Sequence, residues 1–291
     1  MRRQINVLVV LVVLVLGGGL VVAAVARVQN AAARMGCCNN LKQVGMALHN
    51  YHDTNGAFPP ATVPYEGLAY TPGKSTFEGL PPEKRLSWIA EIIPYMEQTR
   101  IRFDRRKAWD DEENVTPMCM GDDGRLERSP LGEWKVFRCP SNPSAAGAGS
   151  PGLTHYVGVA GVGGDAAGRP GGAHSVGIFG HDRRTRHEDI RDGASTTMMV
   201  IETNAKNGPW TAGGHPTVRG LDPAGGPYLG EGGQFGSDHH RGDFFARTPP
   251  PLTNVCFADG SVRGMTAAIG PRVFQALATI AGGEEVGAMD W

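Results

Sequence analysis

Residues 5–26 read INVLVVLVVLVLGGGLVVAAVA, with no charged side chain and a single polar one, Asn6, at the edge. No other stretch limits the possible folds so strongly. As a helix rising about 1.5 Å per residue it covers about 30 Å, the thickness of a bilayer's hydrocarbon. Backbone groups in lipid must be satisfied within the segment, which makes a spanning helix the expected form. Gly17, Gly18 and Gly19 would weaken a helix in water, yet glycine is common in membrane helices. A secretory signal is the competing reading, since Arg2 and Arg3 give a charged start and Ala24-Val25-Ala26 a small-x-small site. The apolar run exceeds the ~7–15 residues of a signal core, so a retained anchor is expected. Arg2 and Arg3 favour a cytoplasmic N-terminus, although Arg27, Arg34 and Lys42 on the far flank oppose it. The expected partner is the lipid bilayer, through residues 5–26. The expected location is a single pass of the cell inner membrane, with the rest of the chain in the periplasm or outside.

After Ala26 the pattern turns one-sided. Val28, Ala31, Ala32, Met35 and Cys38, then Leu41, Val44, Leu48 and Tyr51, recur at three- and four-residue steps. That is the stripe of a helix lying on a core. Asn39, Asn40, Lys42, Gln43 and Asn50 fill its wet side. Asn55-Gly56 suits left-handed backbone and Pro59-Pro60 cannot continue a helix, so the helix stops there. One continuous helix of about 45 residues, ~70 Å long, is expected. His49 and His52 lie three apart on it, but no carboxylate or cysteine falls at a matching step; packed or helix-terminal histidines are expected.

The remaining chain is read as a β-rich head. Glycine is 42 and proline 21 of 291 residues, and the apolar content comes in short pieces between them. Such punctuation favours strands and turns. The net charge of −1 gives no electrostatic footprint for nucleic acid. The cysteines, Cys37, Cys38, Cys119, Cys139 and Cys256, form no C-x-x-C pair. Cys119 and Cys139 stand as a possible pair beside the alternative of separate thiols.

Residues 86–103 give the best helical text of the head, with Pro94 as a kink or early break. "RFDRRKAWDDEEN" reads as a self-neutralising solvated loop. "WKVFRCPSNP" (134–143), "SVGIF" (175–179) and "TTMMVIET" (196–203) read as strands. Gly161-Val162-Gly163-Gly164-Asp165-Ala166 fits a relaxed dinucleotide loop, but Gly168, Pro170, Gly171 and Gly172 follow where a helix must start. No nucleotide partner is expected. "NVCFADGSVRGM" (254–265) reads as an antiparallel hairpin closed by a two-residue type I′ turn at Asp259-Gly260. Its strand should put Val255 and Phe257 on one face, Cys256 and Ala258 on the other. "PRVFQALATIAGGE" (271–284) has Pro271 at a helix start and Gly282-Gly283 past its end. Ser237, Asp238, His239, His240 and Asp243 are the one polar group suited to hydrolysis or metal binding, and a loop that pins the hairpin is the favoured reading. Catalytic, cofactor-binding and metal residues are each expected to be none.

The words "NNLKQVGMALHNYHDTNGAFPP", "SWIAEIIPYMEQ", "FRCPSNP", "YVGVAGVGG", "GIFGHDRRTRHEDIRDGASTTMMVIE", "GPWTAGG" and "FADGSVRGM" together resemble the prepilin-like proteins that carry a C-terminal domain of unknown function (domain of unknown function 1559). These are related in their N-terminal part to type II secretion pseudopilins. The resemblance covers residues 31 to about 284. It implies an α+β, pilin-like fold: a long N-terminal helix packed on an antiparallel β-sheet head with many loops. Residues 1–60 would form anchor and stalk, and 61–291 the head. It implies a non-enzymatic envelope protein with a structural or interaction role in a type II secretion or pilus-like assembly, and self-association through the N-terminal helix. The Gly-Phe-Thr-Leu-Ile-Glu-like start of prepilins is absent here, where the chain reads "RRQINVLVV". Peptidase processing is therefore not carried over. The alternative is a secreted or periplasmic binding module or hydrolase using the Ser237–Asp243 loop.

Overall fold

The computed structural model describes residues 2–64, 79–96, 101–120, 125–132, 134–141, 152–230, 232–236 and 252–284, and within residues 2–30 only some of the side chains. A single helix, α1, runs from Arg2 to Asn55, 54 residues or about 80 Å. It is longer than the roughly 45 residues expected, and it runs unbroken through the end of the apolar run, as expected. Among the described residues no helix is long and apolar enough to cross a membrane. The span expected at residues 5–26 falls largely on side chains outside that set.

The helix stops as its sequence requires. Gly56 takes φ +74°, and its N–H donates to the His52 carbonyl at 2.7 Å, which closes the last turn. The chain then enters the head as an extended segment. The Phe58 N–H donates to the Thr185 carbonyl and the Ala61 N–H to that of Gly180, both at 2.8 Å.

The buried stripe of α1 is shorter than the sequence pattern. Cys37, Leu41, Val44, Leu48 and Tyr51 are buried, while Val28 is 69% and Met35 67% exposed. The helix meets the head only from about Gly36 onward, where Gly36 lies against Pro140. Upstream residues keep the spacing but have no described surface to pack on. Cys37 takes the inward position expected of Cys38, and Asn40 leaves the wet side to reach the head.

The main sheet has the order β6-β4-β5-β7-β8, with β4 Tyr156–Val162, β5 Met198–Glu202, β6 Val218–Leu221, β7 Leu252–Phe257 and β8 Val262–Thr266. Its pairs are antiparallel except β4 with β6, which is parallel. The sheet is thus mixed, not wholly antiparallel as expected. A second, three-stranded antiparallel sheet, β1 Ile101–Arg102, β2 Met118–Met120 and β3 Leu126–Arg128, lies apart from it in the chain order and was not foreseen.

Both faces of the main sheet are covered. On one, Leu41, Val44 and Leu48 of α1 share a core with Tyr156, Val200, Cys256 and Ala258. On the other, Val157, Ile201, Val255 and Phe257 pack with Phe274 of the short helix α4, Pro271–Ala276. The alternation read for Val255–Ala258 is therefore the observed one. Gly45 marks the closest approach of helix to sheet, since a Cβ there would lie 2.9 Å from the Cys256 sulfur.

The hairpin is closed differently from the expectation. Gly260 N–H donates to the Phe257 carbonyl and Phe257 N–H to the Ser261 carbonyl, both at 2.9 Å. Ala258, Asp259 and Gly260 thus form a three-residue loop. Only Gly260 has positive φ, +80°, whereas a type I′ turn needs it at both central residues. Two expected strands are absent: Lys135–Phe137 is one turn of 3-10 helix, and residues 175–179 make only an isolated bridge, Val176 to Gly161. Short apolar runs do not distinguish strands from tight turns that carry core side chains. In residues 86–103 a five-residue helix, α2 (Trp88–Ile92), is capped by the Ser87 hydroxyl and passes at Pro94 into a 3-10 turn, as the proline predicts. The short α3, Glu112–Val115, follows Asp111, whose carboxylate caps it.

Candidate functional site

Polar and ligand-type side chains converge most tightly where α1 crosses the sheet beside β4, β5 and β7. Cys37 comes from the helix, Cys139 from the segment after the Lys135–Phe137 turn, Glu202 from the end of β5 and Asn254 from β7. All four are buried. The Cys37 and Cys139 sulfurs are 2.7 Å apart. With a Glu202 oxygen they lie within 4.8 Å of one another, the one such trio of metal-ligand type among the described residues.

Hydrogen bonds tie much of this cluster together. Glu202 Oε2 accepts from Asn254 Nδ2 at 2.8 Å and from the Asn254 N–H at 3.3 Å. Cys38 donates its thiol proton to Asn254 Oδ1 at 3.2 Å. The Cys139 N–H donates to His155 Nδ1 at 3.3 Å. Asn40 Nδ2 donates to the Arg138 carbonyl at 2.9 Å and to the Tyr156 hydroxyl at 3.3 Å. The hydrogen bond with Cys139 raises the Cys37 pKa most, followed by burial and the nearby Glu202 charge. Burial chiefly raises Tyr156, helped by Cys37 and Glu202. Burial likewise raises Cys38. A thiol pKa raised in this way lowers the population of the thiolate at Cys37 and Cys38.

Sequence spacing links none of these residues. Cys139 meets Cys37, not Cys119. Cys119 sits on β2 in the small sheet, its sulfur 3.7 Å from the Pro117 carbonyl.

A second gathering lies at the end of α1. His49, His52 and His187 surround Phe58, with ring centroids 5.5 Å apart for His49–His187 and 4.2 Å for His52–His187. His49 and His187 are stacked at 17° while His52 is tilted 56° to His187, and their nitrogens do not gather as a metal-ligand trio. Burial lowers the pKa of His49, opposed by Asp53. Burial, then His52 and His49, lowers that of His187. These are packed histidines, as the sequence suggested for His49 and His52.

The remaining candidates offer less. Ser237, Asp238, His239, His240 and Asp243 lie outside the described residues. The loop after β4 leads into a single 3-10 turn, Ala166–Gly168, where a dinucleotide site needs a full helix, and Arg169 folds back on Asp165 at 2.6 Å. The "RFDRRKAWDDEEN" segment pairs its own charges, Arg106 with Asp104 at 3.4 Å and Lys107 with Glu113 at 2.8 Å.

Comparison with known proteins gives one match. Residues 27–272 match the family described as protein of unknown function (DUF1559), and the chain belongs to that family. No curated protein and no solved structure matches it.

Proposed function

We propose that this member of a family of unknown function is a membrane-anchored, pseudopilin-like envelope protein with a structural rather than catalytic role. One observation carries the reading. A single helix has its C-terminal part inside the head's core and its N-terminal part uncovered, with Leu14, Leu20, Val21, Val22 and Val25 exposed. An apolar run that no described residue covers needs another solvent or a partner. A bilayer supplies the solvent at the matching length of residues 5–26, which contain no charge. Arg2 and Arg3 then stay on the cytoplasmic side, and the head stands in the periplasm or outside. The rigid stem holds the head at a fixed distance from the membrane and offers its exposed flank to a second stem or to an envelope assembly. The buried cluster, which joins α1 to the segment at Cys139, belongs to stem–head attachment in this reading.

Fractionation of cells making the full chain tests the proposal. The protein should sediment with membranes, resist high salt, and be released by detergent. A chain starting at Val28 should be soluble. Recovery of the full chain as a soluble monomer without detergent would defeat the reading.

A further inference from the structure

We propose that Cys37 and Cys139 are joined by a disulfide that fastens the long helix covalently to the head. Their sulfurs are 2.7 Å apart across 102 positions of chain, and both are buried. That separation is well inside ordinary non-bonded contact, about 3.5–4 Å. It also argues against a shared metal. Two thiolates on one tetrahedral zinc, each at about 2.3 Å, stand about 3.8 Å from one another. The sulfurs approach each other and do not converge on a common centre.

The flanking contacts hold the two backbones together on both sides of the pair. One residue before Cys37, Gly36 packs on Pro140, whose Cγ would lie 3.2 Å from a Cβ at Gly36. Three residues after it, Asn40 Nδ2 donates to the Arg138 carbonyl at 2.9 Å. The neighbours of Cys139 on either side are thus both seated on α1 around Cys37. A segment gripped at 138 and 140 presents residue 139 to one place only.

The chemistry balances with a disulfide-bearing exchange protein as oxidant. One cysteine thiolate attacks that protein's disulfide and forms a mixed disulfide. The second cysteine attacks the mixed bond, the Cys37–Cys139 bond forms, and the exchange protein leaves as its dithiol. Two protons and two electrons pass from the chain to the oxidant. Because both sulfurs end up buried, the exchange takes place before α1 has fully docked. Such a bond persists in an oxidising compartment, which is where the anchor reading puts the head; the geometry itself does not depend on that reading.

The test uses the full chain with its head exported, blocked with a thiol-alkylating reagent at lysis, denatured, and mapped by mass spectrometry before and after reduction. Cys38 and Cys119 should be alkylated at lysis, and the buried Cys256 once the chain is unfolded in the same reagent, still without reductant. Cys37 and Cys139 should appear as one cross-linked peptide that separates on reduction. Reduction should lower the melting temperature by roughly 5–15 °C. Alkylation of all the cysteines without reduction would overturn the proposal. A Cys119–Cys139 bond, or about one equivalent of zinc in the purified protein, would do the same. The bond and the anchor fail separately: a soluble full chain that carries the cross-link sinks only the anchor, and a membrane-bound chain with both thiols free sinks only the bond.

Discussion

Downstream of Gly36, α1 buries Leu41, Val44 and Leu48 completely against the sheet; upstream, the same unbroken helix leaves Leu20 74% exposed. The leucines and valines buried in one half and exposed in the other are the same apolar types. What differs is the presence of a partner surface. Helical backbone bonds are local and continue through both halves, whereas burial depends on whatever lies opposite. An apolar side chain is therefore a core residue only where the fold brings something to it, and elsewhere it marks a demand on the surroundings.

Substitutions at matched leucines give the largest expected contrast. Leu41→Ala or Leu48→Ala should each destabilise the head by about 2–5 kcal/mol, through lost burial and the cavity left behind. Leu20→Ala should change it by no more than about 0.5 kcal/mol. Urea unfolding of the detergent-solubilised chain, followed by tryptophan fluorescence from Trp88 and Trp210, both buried in the head, measures this. Equal losses at Leu20 and Leu48 would erase the distinction between the halves.

Glycines sharpen the same comparison. At Gly45 a Cβ would meet the buried Cys256 sulfur at 2.9 Å, so Gly45→Ala should push the helix off the sheet and cost about 1–3 kcal/mol. At Gly18 nothing lies within 4 Å. There the change to alanine should leave the head's unfolding midpoint in place. A neutral Gly45→Ala would mean that helix and sheet are less closely packed than the structure has them.

Neighbouring asparagines test the boundary at finer scale. Asn40 donates to the Arg138 carbonyl and the Tyr156 hydroxyl, while Asn39 is exposed. Asn40→Ala should cost about 1 kcal/mol in the same unfolding assay, and Asn39→Ala close to nothing. Similar effects at both would place the seam of the helix elsewhere.

Much of this division could be read before folding. The 3-4-3 rhythm at Leu41, Val44, Leu48 and Tyr51 is local, and so are the stop at Gly56 and the alternation along Val255–Ala258, whereas Cys37 rather than the expected Cys38 extends the buried stripe. The extent of the docked face was not legible, because Val28 and Met35 keep the spacing without the partner. The same limit hid the thiol cluster. Cys37 and Cys139 are neighbours only through the seating of residues 138 and 140 on the helix, a long-range fact that spacing does not carry. Strands were overread at residues 134–143 and 175–179, where buried side chains such as Phe137 and Val176 are placed by turns instead. The hairpin loop was misjudged by one residue. Asp-Gly serves a two-residue turn when both residues take positive φ, and here Asp259 does not.

The smallest expected effect is a pH dependence confined to the docked half. His49 and His187 both have pKa values lowered from 6.5, burial being the first cause. The groups facing them are His52, Asp53 and, for His49, Asp259. The folded state therefore resists protonation that the unfolded chain accepts near 6.5. Below that value the unfolded chain holds more protons, so stability falls as pH drops, and the fall ends once the folded histidines also titrate. His181 and His215, lowered mainly by burial as well, add to the slope. Urea midpoints measured from about pH 7.5 to 5.5 should decline, and the double change His49→Gln, His187→Gln should flatten the decline in part. Residues 2–36 contain no histidine. Membrane association should then hold constant across the same range, and loss of association in step with the unfolding slope would tie the two halves together more closely than their separate surroundings imply.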